Sequence, residues 1–194
     1  MLGRRSYERD LARPVLPRPR CRVKLVCGPP AAGKSTYVVS HAGQHDVIVD
    51  FDALAREMGF GRERPSWLIT QVLEVRNERL AALSLEPPER VAWVILSAPS
   101  KALRAWWRSV LGVALEDVIV LVPTREELRR RIFKDPDRPT LRFKLKQMEV
   151  VDSWFRKESM NDPGFGVLRS GCGVDGEPTD PLHPWNKVEE DDEH

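Results

Sequence analysis

The sequence predicts an α/β fold, a parallel sheet flanked by helices, with a glycine-flanked turn after its first strand. Three observations carry that prediction. Short apolar runs at residues 23–27, 47–49, 91–96 and 118–122 alternate with stretches of helical spacing, the pattern of strands joined by helical crossovers. The third run, Val91-Ala92-Trp93-Val94-Ile95-Leu96, is apolar throughout, as a strand covered on both faces should be. The first run leads directly into Gly28-Pro29-Pro30-Ala31-Ala32-Gly33-Lys34-Ser35, which satisfies G-x-x-x-x-G-K-S/T at every fixed position.

Each element has its own local reason. A helix runs from Lys34 to about Ser40, and the second strand, residues 47–49, ends in Asp50-Phe51-Asp52. A helix over 53–58 is broken by Gly59-Phe60-Gly61. Ser66 is placed to cap a long helix from 67 to about 85, with Leu68, Val72, Val75, Arg79 and Leu83 on neighbouring turns and Pro87-Pro88 as its stop. Helical spacing resumes over 101–111. After the fourth strand, Thr124 and Glu127 form a capping box. A charged loop, Lys134-Asp135-Pro136-Asp137-Arg138-Pro139, precedes a last helix from Thr140 to about Lys157.

Three regions follow: a basic, Pro/Arg-rich arm over 1–21, a folded domain over 22–160 and an irregular acidic tail over 161–194. The arm reads as an extended, solvated lead-in, and Leu182-His183-Pro184-Trp185 is the one stretch of the tail suited to docking on the domain. With 41% hydrophobic and 31% charged residues the composition is that of a globular domain. No apolar run approaches the ~18 residues of a membrane span, and the start lacks the apolar stretch of a signal peptide. The expected compartment is therefore the cytoplasm. Cys21, Cys27 and Cys172 lack metal-ligand spacing; Cys27 reads as a small buried residue rather than a nucleophile. Trp67, Trp93 and Trp154 read as packing residues, and His41, His45, His183 and His194 show no metal spacing.

The spacing of the turn follows from its chemistry. Gly28 and Gly33 let the backbone of Pro29, Pro30, Ala31 and Ala32 wrap an anion with its N–H groups. Lys34 reaches the β- and γ-phosphates, Ser35 is placed to ligate Mg²⁺, and with Thr36 they open a helix whose positive end faces the anion. The ligand this implies is ATP with Mg²⁺. Asp50 and Asp52, where a strand gives way to a helix, supply the carboxylate that phosphoryl transfer onto a hydroxyl needs. Asp52 is the candidate base, and Asp50 supports the Mg²⁺ shell or orients the loop. A plainer role for Asp52 is the N-cap of the following helix.

On these residues the chain resembles small P-loop NTPases of kinase type related to polynucleotide 5′-kinase and zeta-type toxins. There the phosphate loop is followed by a strand ending in Asp-x-Asp or Asn-x-Asp, and the resemblance makes Asp52 the acceptor-activating base. It is more closely similar to P-loop proteins encoded by tailed phages and prophages, with Cys27-Gly28-Pro29-Pro30, residues 49–55, and Ser97-Ala98-Pro99-Ser100 followed by Arg104 and Arg108. If phage-encoded, the protein would work in the host cytoplasm. The resemblance covers about residues 22–157. One departure stands out: kinases of the group carry an acid at the end of the third strand, where this chain has Leu96-Ser97-Ala98-Pro99.

By position, the charged loop after the fourth strand is a lid. Arg138 at its tip and Arg131 on the helix entering it are candidates for neutralising the migrating phosphoryl group. Arg125, Arg129 and Arg130 fit a solvated helix face. Arg104 and Arg108, with Trp106 and Trp107 between them, suit a nucleic-acid strand, as does the basic arm. The simpler reading buries one tryptophan and leaves the arginines in solvent. The function expected is a phosphotransferase acting on a hydroxyl of a nucleotide, a nucleic-acid end or a small molecule. The alternative is a phage-type accessory ATPase using ATP as a switch in DNA metabolism or packaging. An oligomeric motor fits less well, because the chain shows no Walker-B-type acidic strand end with its usual hydrophobic run and no arginine-finger context.

Overall fold

The computed structural model describes residues 11–61, 65–138 and 140–159. The first ten residues of the arm, Pro139, and the tail with Cys172 and residues 182–185 lie outside the described residues. The elements run β1 (Arg22–Cys27), α1 (Lys34–His41), β2 (Val47–Asp50), α2 (Phe51–Glu57), α3 (Ser66–Ala82), β3 (Val91–Leu96), α4 (Lys101–Leu111), a 3-10 turn (Leu115–Asp117), β4 (Val118–Val120), α5 (Arg125–Lys134) and α6 (Leu141–Ser159). The strands form one parallel sheet in the order β2-β3-β1-β4.

The alternation of each strand divides the core into two layers. Leu25, Cys27, Val94 and Leu96 face a cluster with Leu54 of α2, Leu68 and Val72 of α3 and Trp107 of α4. Val26, Trp93, Ile95 and Ile119 face Val38 of α1, Leu128 and Ile132 of α5 and Val151 of α6. Each such side chain contributes about 1.5–3 kcal/mol when fully withdrawn from water. Register then places the loops. Cys27 lies opposite both Leu96 and Val120, and Asp50 lies opposite Ile95. All four strands therefore end nearly level, and their carboxyl ends open onto one edge, where parallel α/β sheets bind ligands.

Several local expectations change. α3 begins at Ser66, with Pro65 as its N-cap. Its buried stripe is Leu68, Val72, Arg76, Leu80 and Leu83, whereas Arg79 is exposed. Trp67 is half exposed and meets only the edge of Phe60 among the ring contacts. Residues 11–21 are largely exposed but anchored to the domain at several points. Arg20 N–H donates to the Leu83 carbonyl at 3.2 Å, Cys21 is buried, Leu16 packs on the core, and the Arg13 guanidinium lies 5.6 Å from the Trp106 ring centroid. Apolar residues spaced between the arginines give this segment something to bury.

Candidate active site

The loop between β1 and α1 holds the geometry its glycines were expected to provide. Gly33 is left-handed at φ 89° and Ala31 at φ 62°, so successive N–H groups turn inward as an anion nest. A Cβ on Gly28 would lie 2.4 Å from the Leu121 carbonyl oxygen. That oxygen is close because pairing continues past β4, with Leu121 N–H donating to Cys27 at 2.8 Å. Lys34 Nζ donates to the carbonyls of Gly28 and Pro29 at 2.9 and 2.8 Å. Desolvation inside the turn pulls its pKa down to about 8, against the opposing pull of Asp50 and Asp52. Cys27 beneath the loop is fully buried, and burial pushes its thiol up to about 12, the behaviour of a packing residue and not of a nucleophile.

Asp50, nearly buried, ties the loop to the second strand. Its Oδ2 accepts from Ser35 Oγ at 2.9 Å and its Oδ1 from the Asp52 backbone N–H at 3.0 Å. The N-cap of α2 is therefore Asp50 and not Asp52, because the helix starts one residue after the strand ends. Asp52, in the first turn of α2, is exposed into the cleft. Ser35 and Asp50 bring two hard oxygen donors to one point. That donor set fits Mg²⁺, which takes one or two protein oxygens and completes its shell with phosphates and water. Among the described residues no cluster of three His, Cys, Asp or Glu side chains forms a metal cage.

Arg131 and Arg138 both border the cleft. Arg131 Nη1 donates to the Ala31 carbonyl at 3.2 Å while its Nε donates to Glu127 at 2.7 Å. It lies so near the loop that a Cβ on Gly33 would be 3.4 Å from Nη1. The Glu127 carboxylate also accepts from Arg130 at 2.9 Å. Only half of the expected capping box forms as a cap, through Glu127 N–H and Thr124 Oγ1 at 3.1 Å. Arg138 is not at an exposed tip: it is 4% exposed and paired with Asp135 at 2.7 Å. Both residues of the pair line the cleft.

Arg104 departs from both roles considered for it. It is buried, with Nη1 donating to the Ala98 carbonyl at 2.9 Å and Nη2 to Glu158 at 2.8 Å. It clamps α4 to α6 and is out of reach of a nucleic-acid strand, while Trp107 takes the expected core position. Trp154 lies on the same side, donating from Nε1 to the Ser97 carbonyl at 2.8 Å. Ser97 itself is exposed in the cleft and brings no carboxylate.

The cleft measures about 1180 Å³, above the range of about 300–1,000 Å³ for a pocket filled by one small ligand. One of its lining residues escaped the sequence reading: Arg76 of α3. The signal was present, since Leu68, Val72, Arg76 and Leu80 repeat at i, i+4.

No helix among the described residues is long and apolar enough to cross a membrane. No curated protein matches the sequence. Among solved structures the chain is similar to shikimate kinase from Acinetobacter baumannii in complex with shikimate, with 19% identity and a TM-score of 0.38 over 71% of this chain and 79% of that one. The family model of the AAA domain matches residues 23–153, a span that holds every residue lining the cleft, from Pro30 to Gln147. The chain thus belongs to the AAA-domain family, with a P-loop nucleotide-binding fold of the kinase/ATPase type.

Proposed function

We propose that the protein is an ATP- and Mg²⁺-dependent phosphotransferase whose acceptor is a hydroxyl group. The observation that carries this reading is the Ser35–Asp50 hydrogen bond with Asp52 beside it, in a cleft shared with the phosphate loop. A nucleotide-binding turn needs no second carboxylate in its cleft, whereas transfer to a hydroxyl does. In this reading the loop N–H groups and Lys34 hold the β- and γ-phosphates. Asp52 orients the acceptor hydroxyl and takes its proton as the oxygen attacks the γ-phosphorus and the bond to the β–γ bridging oxygen breaks. Lys34, Arg131 and Arg138 offset the charge that develops on the phosphates, a role worth orders of magnitude in rate. Mg²⁺ bound by Ser35, Asp50 and the phosphates would supply further neutralisation of that charge.

Incubation with γ-labelled ATP and a panel of nucleotides, nucleic-acid 5′ ends and small alcohols tests the reading. A labelled acceptor is the expected product. Release of inorganic phosphate alone would favour the second reading, an ATPase switch of the phage accessory kind, which the absence of a carboxylate at Ser97 suits. A cytoplasmic location and nucleic-acid contact through the arm or Arg108 are compatible with either reading and are proposed alongside it.

A further inference from the structure

Arg76 occupies a core position on α3, between Val72 and Leu80 in the buried stripe, and is 7% exposed. A guanidinium there is strongly unfavourable unless a counter-charge offsets it. Among the described residues its hydrogen-bond partners are neutral groups. Nε and Nη2 donate to Asn77 Oδ1 at 3.2 and 2.8 Å, and Nη2 also donates to the Leu11 carbonyl at 2.9 Å. The Trp107 ring centroid lies 5.2 Å from Cζ. Burial pulls its pKa down to about 10, with no carboxylate acting in the opposite direction. Arg76 therefore remains charged at neutral pH, held by three fixed supports, and borders the same cleft as Lys34 and Asp52. Two of those supports, Leu11 and Asn77, hold one side of the fork and leave Nη1 without a role in the hydrogen bonds that fix it.

We propose that Arg76 seats an anionic group, a phosphate or a carboxylate, carried by the acceptor substrate. The inference rests on the phosphotransferase reading for the word acceptor, but the seat itself does not. A preorganised guanidinium with a free edge is suited to a planar or tetrahedral oxyanion. The anion supplies the counter-charge that the hydrogen-bond partners of Arg76 lack, and the cleft has volume for a second ligand beside a nucleotide. The Leu11 contact gives residues 11–21 a task, namely to brace Arg76 from behind.

The test uses the full-length protein with its phosphate loop filled by Mg²⁺ and a non-hydrolysable ATP analogue, so that added anions meet only the remaining part of the cleft. Inorganic phosphate and acetate are titrated separately while the indole resonance of Trp107, assigned with Trp107→Phe, is followed by NMR. The expected result is a saturable shift with at least one of the two anions, absent with chloride at equal ionic strength. The better anion identifies the headgroup as phosphate or carboxylate. Arg76→Met should weaken that binding by about tenfold or more, and Arg76→Lys should retain part of it. No saturable shift with either anion in the wild-type protein, or equal shifts in Arg76→Met, would overturn the proposal; the wild-type titration decides even if the variant does not fold. Failure of the kinase reading looks different: the anion binds, yet no acceptor becomes labelled.

Discussion

Raising the pH should weaken ATP binding, and Lys34 sets where. Its pKa in the ligand-free protein is about 8 because the turn desolvates it. Bound phosphates favour the protonated form, so the complex carries more protons than free protein above that pH, and affinity must fall as pH rises. With the complex titrating above pH 10, the loss between pH 7.5 and 9.5 is about 25-fold, or ~1.9 kcal/mol at ~1.36 kcal/mol per unit. A lysine at its ordinary value near 10.5 would give a change of only about 1.1-fold over the same interval. Calorimetric titration with a non-hydrolysable ATP analogue at constant ionic strength measures this directly. Lys34→Met should bind weakly and with a flat pH profile. A change under about twofold in the wild-type protein would refute the argument that the turn desolvates Lys34.

Two further predictions concern the scaffold. Gly28→Ala drives a methyl to 2.4 Å from the Leu121 carbonyl at a φ of 152°, so the strand ends must part; a loss of about 2 kcal/mol or more should appear in urea denaturation, together with loss of nucleotide binding. Arg104→Met leaves Glu158 unpaired beside a buried position. It should cost about 3–5 kcal/mol, and Arg104→Met with Glu158→Leu should recover much of that; urea midpoints of the two variants make the comparison.

How much was legible depended on whether the determining contact was local. The phosphate turn and β3 were readable because the loop's conformation and a strand covered on both faces each leave a contiguous signature. The Thr124 cap was readable for the same reason, since donor and acceptor lie three residues apart. Asp50 and Asp52 both line the cleft, but the N-cap considered for Asp52 belongs to Asp50, because the helix starts two residues earlier than expected. Arg104 was misread because its partner Glu158 lies 54 residues away and nothing local announces it. Arg76 was missed through register: following Val75 and Arg79 instead of Arg76 and Leu80 moved the stripe by one residue and hid a buried cation. The anchoring of residues 11–21 was not legible because composition reports charge, while Leu16 and Cys21 find their partners only in the folded domain.

The central claim, that the γ-phosphate is handed to a hydroxyl activated by Asp52, is tested most directly by Asp52→Asn with nucleotide affinity and phosphate transfer measured on the same preparation. Asp50 provides both the N-cap of α2 and the bond to Ser35, so the substitution should leave the phosphate site standing. The account predicts ATP affinity within about threefold of wild type and transfer reduced by about 10²–10⁴. Transfer at the wild-type rate by a protein that still binds ATP would contradict it.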